Sequence, residues 1–375
     1  MNPSERQRAP INWPAAVMFV VTGALALTVV PWYGLARGYS SSAWLWFGVV
    51  LSLNELAITC GYHRLFAHAS YQARPSLRLI YLLFGAMALQ NSALIWSAGH
   101  RVHHQYIDDP ERDPYCARRG FWFSHIGWML RNYPSGRPDL DRVPDLKRDP
   151  LVMWQHRHYI LIATAMNIGL PLLLGWMNGD LAGTFLLAGV LRLVVSHHLT
   201  FFINSLAHIV GTQPYNTENT ARDNAIVALL TFGEGYHNYH HAFAHDYRNA
   251  VRWWQWDPSK WLIFTLAWLG LAKNLKRVSR FRIQRSLLDV QFRRAETQMA
   301  LQPARGQVQQ IRDRLTEEYA AFRAAIESWT RIREEWVAAK RSQWERSILQ
   351  SRLKEIEFML RSQYRRIQLL QAQLR

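Results

Sequence analysis

The sequence predicts an all-α fold, with a domain of four transmembrane helices and a cytoplasmic helical cap, followed by a helical extension. Four apolar stretches have nearly the length, about 20 residues, that a helix needs to cross a bilayer. Histidines cluster outside these stretches. Beyond residue 284 charges become dense, glycine is rare and apolar residues recur at helical spacing. We therefore expect a membrane domain over residues 1–284, whose cap carries the histidines, and an extension over residues 285–375.

The predicted spans are residues 13–33, 43–62, 159–177 and 182–204. The first follows Arg6 and Arg8, as a signal sequence would, but it is too long and has no small-residue cleavage site. The short links that join the paired spans contain Arg37 alone, whereas Arg and Lys are frequent between His63 and His158. The positive-inside rule therefore places this large loop, the histidines and both termini in the cytoplasm.

The apolar stretch 77–96 is predicted to be a helix at the membrane surface. If it crossed the bilayer, His63 and His100 would lie on opposite sides and could not share a site. It also contains Arg78 and three consecutive polar residues, which are costly in lipid. The run 261–271 is too short to cross and is also predicted to be interfacial. The cap then comprises residues 97–158 and 205–284.

Nine of the histidines fall into four groups whose spacing suits metal ligands. Two groups are triplets at i, i+3 and i+4, positions that share one face of a helix. His63 and His68 are i and i+5, which diverge by roughly 140° on a continuous α-helix, so we expect the second span to end near His63 and the chain to turn there. His208 follows Asn204 by one turn. The nine are His63, His68, His100, His103, His104, His208, His237, His240 and His241.

This number of imidazoles favours two metal ions. A tetrahedral zinc ion takes four ligands, whereas two ions with roughly six positions each leave about three positions for water, oxygen or substrate. Asn204 is suited to hold one such water. Imidazole binds iron, copper, nickel and zinc, so a zinc-binding membrane protein is an alternative. Cys60 and Cys116 are too few for an iron–sulfur cluster.

The formal net charge of +17 restricts the partners. No nucleic-acid-binding motif accompanies the charge, so nucleic acid is not an expected partner. Anionic lipid headgroups or a phosphorylated substrate fit the charge better.

The C-terminal extension is predicted to form a short helix followed by a long helix or a helical hairpin. The break is Gln302-Pro303-Ala304-Arg305-Gly306. Trp329, Trp336 and Trp344 recur about one heptad apart, which is typical of a coiled-coil seam. Self-association through these helices is therefore expected. Further apolar residues at helical spacing are Leu353, Ile356, Leu360, Ile367, Leu370 and Leu374.

The histidine motifs and one loop carry a resemblance to a known family. The motifs are His63-Arg-Leu-Phe-Ala-His68, His100-Arg-Val-His-His104, Asn204-Ser-Leu-Ala-His208 and Gly233-Glu-Gly-Tyr-His-Asn-Tyr-His-His241, and the loop is Arg118-Arg-Gly-Phe-Trp-Phe-Ser-His-Ile-Gly-Trp128. In combination they resemble the integral-membrane acyl-CoA desaturases, the stearoyl-CoA (Δ9) desaturase family. The resemblance extends from Ile58 to Val278 and does not cover the extension.

The resemblance implies a fatty acyl desaturase that uses O2 to insert a cis double bond, at Δ9, into a saturated acyl-CoA. It implies two irons (Fe2+/Fe3+) bound by the nine histidines, with Asn204 as a further ligand through water. It places Trp96 in the wall of an acyl tunnel and Arg131 against a phosphate of the carrier. The family's acidic and basic pair before the second motif is Ala98-Gly99 here.

Several points stay open at this stage. The chain has no flavin, nicotinamide or haem-binding motif, so a separate ferredoxin, cytochrome b5-like protein or flavin reductase must supply electrons. Acyl-carrier protein or a membrane lipid could carry the acyl chain in place of CoA. A membrane di-iron fatty acid hydroxylase has similar histidine motifs and is the nearest alternative. An alternative from another class is a non-enzymatic membrane scaffold that acts through the C-terminal coiled coil.

Overall fold

The computed structural model describes residues 9–300, 307–338 and 343–373. Their contacts divide the chain into two compact units, Met1–Arg277 and Val278–Arg375. The predicted boundary after residue 284 lies inside the second unit, within a helix that begins at Arg280. The extension therefore begins earlier in the chain than its change of composition indicates.

Four helices among the described residues are long and apolar enough to cross a membrane, which confirms the predicted number of spans. They are Trp13–Ala36, Ser41–Ala67, Tyr159–Met177 and Leu181–Ile209. Their α-helical parts are Trp13–Leu27, Val29–Ala36, Ser41–Leu56, Tyr159–Thr164, Leu170–Met177, Leu181–Thr184, Arg192–Asn204 and Leu206–Ile209. The last three spans also contain π-helical segments, at Ala57–Ala67, Ala165–Gly169 and Phe185–Leu191.

The stretch 77–96 is not one helix, so that part of the prediction is wrong. Helix α1 (Pro75–Ala86) ends before a turn, and helix α2 (Ala93–Tyr106) follows it. Leu89 and Asn91 have positive φ angles of 49° and 74°, which stops a right-handed helix. The Ser92 hydroxyl then accepts a hydrogen bond from the Ile95 N–H (3.4 Å) and caps α2. The turn frees α2 to carry its histidines in a new direction.

Short elements complete the first unit. A two-stranded antiparallel sheet pairs β1 (Gln72–Ala73) with β2 (Ala272–Lys273). Helices α3 (Ala225–Leu230), α4 (His237–Ala242) and α5 (Pro258–Trp268) follow the fourth span. The other short helices are Ala117–Arg119, Phe123–Gly127, Trp128–Leu130, Pro134–Gly136, Leu140–Arg142, Pro144–Lys147 and Pro150–Arg157.

A buried arginine joins three of the spans. Arg192, in the fourth span, is fully buried and donates to the Asn54 amide oxygen (3.3 Å), the Asn167 amide oxygen (2.7 Å) and the Met87 carbonyl (2.8 Å). An ionised side chain inside the membrane is costly unless its donors are satisfied. Its contacts therefore tie the second, third and fourth spans to the turn between α1 and α2.

The second unit is built from three helices, α6 (Arg280–Ala300), α7 (Gln307–Ala338) and α8 (Gln343–Gln373). Ion pairing of Arg366 with Glu318 (2.7 Å) and hydrogen bonding of Trp329 to Glu357 (3.3 Å) show that α7 and α8 run antiparallel. The predicted helical extension is thus confirmed. Its core contains Phe281, Leu288, Leu315, Tyr319, Phe322, Ile326, Trp329, Leu360 and Ile367.

The tryptophan seam is only partly as predicted. Trp329 is buried in the core, but Trp336 is 41% exposed and lies outside it. The predicted break at Gln302–Gly306, Leu374 and the side chain of Trp344 lie outside the described residues. A heptad interval of two tryptophans did not bring both to one interface, because the second lies near the end of α7, where the core ends.

Close packing of α1 on the second span gives a prediction for stability. A Cβ atom at Gly85 would overlap the ring of Tyr62, which is fully buried, whereas one at Gly48 would meet nothing within 4 Å. Gly85→Leu is therefore expected to lower the free energy of unfolding by about 1–3 kcal/mol or more, measured as the thermal midpoint in detergent. Gly48→Leu is the matched control, and equal midpoints for the two variants would contradict this packing.

Candidate metal centre

Four segments of the first unit bring all nine predicted histidines together. They are the end of the second span, α2, the end of the fourth span and α4. The side chains form two groups, and within each group the ligand atoms lie within 4.8 Å of one another. The first group is His63, His68, His100, His104 and His240, and the second is His103, His208, His237 and His241.

The pair His63 and His68 meets in a way that the sequence analysis did not predict. The second span does not end near His63 but continues as a π-helix to Ala67. The His68 N–H donates to the His63 carbonyl (3.1 Å), the i to i+5 bond of a π-helix. Residues five apart then lie above one another, and the two ring centroids are 4.9 Å apart. The expected chain turn is wrong, and the five-residue spacing is itself the signature of the π-helix.

Each histidine triplet contributes to both groups. On α2, His100 and His104 belong to the first group and His103 to the second. On α4 the division is reversed, since His240 joins the first group and its two companions join the second. The same two helices therefore support both groups and fix the distance between them.

The Nε2 atoms of these rings point at one another. The distances are 2.9 Å for His63–His240, 2.9 Å for His240–His104 and 2.9 Å for His68–His100 in the first group. They are 3.3 Å for His103–His241, 3.0 Å for His241–His237 and 3.1 Å for His237–His208 in the second group. All nine rings thus present the same edge to the interior of the cluster.

Buried carboxylates hold the opposite edge of two rings. His63 Nδ1 lies 2.8 Å from Glu234 Oε2, and His103 Nδ1 lies 2.9 Å from Asp113 Oδ1. Both acids are almost completely buried. A carboxylate only accepts hydrogen bonds, so each of these rings carries its proton on Nδ1 and leaves the Nε2 lone pair facing inward.

Hydroxyl groups hold two further rings. His100 Nδ1 lies 3.1 Å from the Tyr115 hydroxyl, and His208 Nδ1 lies 2.9 Å from Thr220 Oγ1. Thr220 in turn donates to Asp108 Oδ1 (2.5 Å), so its oxygen is left to accept from the imidazole. The contact with Thr220 therefore selects the Nδ1–H tautomer of His208.

The donor set fits metal ions. Burial and the neighbouring rings lower the pKa values of His100 and His240 well below the usual range, so these imidazoles are neutral. Neutral rings with inward lone pairs at about 3 Å repel one another unless a cation lies between them. Inward-facing rings, four of which have the outer edge held by Glu234, Asp113, Tyr115 or Thr220, are the arrangement that a metal-binding histidine site requires.

A buried ion-pair network supports the first carboxylate. Arg64 is 1% exposed and pairs with Glu234 (2.8 Å) and Asp257 (3.0 Å), and Asn249 donates to Glu234 (2.6 Å). Burial alone would raise the pKa of Glu234, but His63 and Arg64 lower it to about 2. Glu234 is therefore ionised and well placed to orient His63.

The last histidine motif depends on a glycine. A Cβ atom at Gly235 would overlap the backbone of Ala228 in α3, so the chain passes this helix only because residue 235 has no side chain. Asn224 N–H donates to the Gly235 carbonyl (2.8 Å) and fixes the approach. Helix α4 starts two residues later and places three imidazoles on one face.

A cavity of about 660 Å³ adjoins the centre. It extends from His63 and His103 to span residues such as Phe19 and Glu55. Asn204 also lines it. Its volume and depth suit a flexible apolar molecule of some length. Other lining residues are Ile58, Thr59, Gln90, Trp96, His100, Arg131, Arg137, Thr200 and His237.

The two residues predicted to contact substrate lie at different parts of this cavity. The Trp96 ring stacks on His100 (4.9 Å between centroids), and its Nε1 donates to Gln90 (3.1 Å). Gln90 in turn donates to Thr200 (3.1 Å) on the fourth span. Arg131 also lines the cavity, and its guanidinium donates to the Ala9 carbonyl (2.7 Å).

Sequence reasoning missed the residues that orient the imidazoles. Glu234 lies inside the motif Gly233–His241, and Asp113 and Tyr115 lie in a segment whose sequence has no helix or strand periodicity. The signal available in the sequence was the presence of an acidic residue, such as Glu234, in a segment that must pack against several histidines. The pairing of each acid with one ring needed the three-dimensional structure.

Comparison with known proteins identifies similar chains. Residues 40–266 match the family described as fatty acid desaturase. Acyl-CoA desaturase 1 of Saccharomyces cerevisiae is 42% identical over 283 residues, which are 74% of this chain and 54% of the yeast protein. Stearoyl-CoA desaturase 5 of Bos taurus is 39% identical over 246 residues, 64% of this chain and 73% of the bovine protein.

A third relative differs in its named substrate. The sn-2 palmitoyl-lipid 9-desaturase of Nostoc sp. (strain 36) is 37% identical over 284 residues, 72% of this chain and 93% of the Nostoc protein. The chain spans about half the length of the first yeast relative, with 54% covered. The family match, residues 40–266, lies within the unit that carries the histidines.

The contact between Asp113 and His103 gives a prediction for metal affinity. The Asp113 carboxylate orients the His103 ring and increases the basicity of its Nε2 atom. Asp113→Asn removes this carboxylate, so the affinity for a transition metal should fall by about 10–100-fold. Metal retained after graded chelator treatment, measured by elemental analysis, tests this. Asp141→Asn, at a side chain that is 94% exposed, is the control, and identical retention by the two variants would contradict the role of Asp113.

Proposed function

This chain belongs to the fatty acid desaturase family, and from that premise we propose that it is an acyl-CoA desaturase that inserts a cis double bond at Δ9 into a saturated acyl chain. It is an integral membrane protein with a histidine-rich metal site. The observation that carries the proposal is the cavity that joins both histidine groups to the interior of the spans. An acyl chain could reach the metal site there without contacting water.

We propose two irons as the metals. The first histidine group offers five imidazoles and the second offers four. Asn204, which lines the cavity, would hold a water that completes this smaller set. Imidazole is a common ligand of iron. When bound, the irons would supply the activation of O2 and the two-electron oxidation of the acyl chain.

The reaction balances with external electrons and protons. The acyl chain loses two hydrogen atoms, and O2 takes these together with two electrons and two protons to form two molecules of water. The protein must therefore hold two adjacent carbons beside the metal site and keep other groups away. An unactivated C–H bond offers no polar handle, so position alone selects the carbons.

Trp96 is proposed to position the acyl chain. Its ring covers His100, and its hydrogen bond to Gln90, which reaches Thr200, fixes the ring orientation. A rigid aromatic wall next to the first histidine group would set the path of a flexible chain. The apolar wall also excludes water from the site of oxidation.

Arg131 and Arg137 are proposed to receive the carrier group. Both line the cavity. Two guanidinium groups suit the phosphates of coenzyme A. The open space beside Gly99, where a Cβ atom would meet nothing within 4 Å, leaves room for a bulky carrier. One relative is named for an acyl-CoA substrate and another for an sn-2 acyl lipid. Assay of both carriers would therefore decide which one this chain uses.

We further propose a cytoplasmic metal site, cytoplasmic termini and a separate electron donor. Arg and Lys are frequent in the cap sequence, which favours this orientation. His104 and His241 are the least buried ligand rings, so a ferredoxin, cytochrome b5-like protein or flavin reductase would approach there. Self-association through α8 is also proposed, since Phe358 and Leu369 are exposed apolar side chains.

A variant of one central histidine tests the activity. His240 Nε2 lies 2.9 Å from both His63 and His104, so His240→Ala should abolish product formation. The measurement is expression in cells that lack unsaturated fatty acids, with double bonds located by mass spectrometry. His158→Ala, at an exposed ring outside both groups, should retain activity.

The same experiment separates the alternatives. Hydroxylated fatty acids in place of olefins would identify a hydroxylase. Growth without any modified acyl chain would leave the scaffold alternative and contradict the proposed activity.

Metal content tests the identity of the cofactor. The purified full-length protein, expressed with iron in the medium, should contain about two irons per chain by elemental analysis. His240→Ala should reduce this number, because it removes a ligand of the first group. Stoichiometric zinc with little iron would contradict the proposed cofactor.

A further inference from the structure

An exposed aromatic surface on the first unit has no role in the chemistry proposed above. Trp253 is 83% exposed, Trp268 is 81% exposed and Ile226 is 72% exposed. They belong to three pieces of chain, the helix α3, the loop 251–257, and the helix α5 with the residue that follows it. The exposed large apolar side chains of these pieces are Ile226, Leu229, Leu230, Trp253, Trp254, Trp256, Trp261, Phe264, Trp268 and Leu269. We call this set the tryptophan platform.

The pieces form one surface because they are joined by buried contacts. Ala228 of α3 packs with Ala250, at the start of the loop, in one buried cluster. The Ser259 hydroxyl of α5 donates to the Phe232 carbonyl just after α3 (3.0 Å). Trp256 and Trp261 meet edge to face, with centroids 5.6 Å apart. The three pieces are therefore neighbours on the same part of the first unit.

The platform is continuous with the surface of the spans. The Asn224 side chain, which caps α3, donates to the Val210 carbonyl immediately after the fourth span (3.3 Å). Ser259 also bonds Thr59 of the second span (2.6 Å). Val210 and its neighbour Ile209 are themselves exposed apolar residues. Exposed apolar residues thus lie both at the end of a span and on α3, the first piece of the platform.

The charges of the platform favour lipid over a soluble partner. The carboxylates of residues 225–236 and 251–272 are Glu234 and Asp257, and both are buried in the network around Arg64. The exposed cation is Arg252, whose guanidinium lies 5.5 Å from the Trp254 ring. Tryptophan, with an apolar body and one N–H donor, is the residue that concentrates at the boundary of lipid and water.

We propose that the tryptophan platform is embedded in the lipid–water interface of the bilayer. Helix α4, with three of the metal-site histidines, lies in the chain between α3 and the loop 251–257. Both sides of this histidine motif are then anchored at the same depth in the membrane. The platform fixes the height of the metal centre above the hydrocarbon and prevents the cap from tilting away from the spans.

Lipid-depth quenching of the full-length protein in nanodiscs tests the proposal. Trp253→Cys, Trp268→Cys and Ile226→Cys would each carry an environment-sensitive fluorophore, and the native Cys60 and Cys116 are buried. Interfacial segments insert about 5–10 Å, so phosphatidylcholine with a spin label near the top of its acyl chain should quench all three. Asp141→Cys, at a 94% exposed side chain, should not be quenched.

The outcomes distinguish lipid from protein as the covering partner. Quenching at the three positions, with metal content equal to that of the parent protein, supports the proposal. Absence of quenching at the three positions overturns it. A third outcome is a fluorophore that is shielded from water but not quenched by the spin label, and that becomes exposed when each disc holds one chain. This outcome would show that a second copy covers the surface, and it would also overturn the proposal.

Discussion

The inward direction of nine imidazole lone pairs is the constraint on which the rest of the structure depends. Lone pairs that converge in this way repel one another, and contacts on the opposite edge of a ring hold it in place. Glu234, Asp113, Tyr115 and Thr220 do this for four rings, which lie on three of the four segments that carry the histidines. The loops that supply these acceptors are therefore as important to the site as the helices that supply the imidazoles.

The membrane spans serve the site through irregularities in their helices. A regular α-helix would direct His63 and His68 away from each other, and the π-helix at the end of the second span removes this divergence. The buried Arg192 joins three spans to the turn at Met87, and α2 starts after that turn. Polar groups that are costly in lipid thus fix the point at which the second histidine helix leaves the membrane surface.

The sequence was sufficient to predict the spans and the meeting of the histidines, because both depend on local patterns. Long apolar runs have one stable solution in lipid, and the i, i+3, i+4 triplets share a face on any α-helix. It was not sufficient where one residue overrides its surroundings. The positive φ of Asn91 splits the stretch 77–96, and the π-helix after Leu56 replaces the expected chain turn. The role of Glu234 depends on residues such as His63 and Arg64 that lie far away in the chain.

The distribution of charge suits a metal centre whose protein ligands are imidazoles alone. Imidazole rings do not compensate the charge of bound cations, which would then be balanced from farther away. The structure places one buried carboxylate behind one ring of each group, Glu234 behind His63 and Asp113 behind His103. A carboxylate at that distance would balance charge and orient the ring, and it would leave the positions nearest the metals open for other ligands. Arg64, held between Glu234 and Asp257, keeps the first of these acids ionised in a buried setting and so links the electrostatics of the metal site to the packing of α5 against the second span.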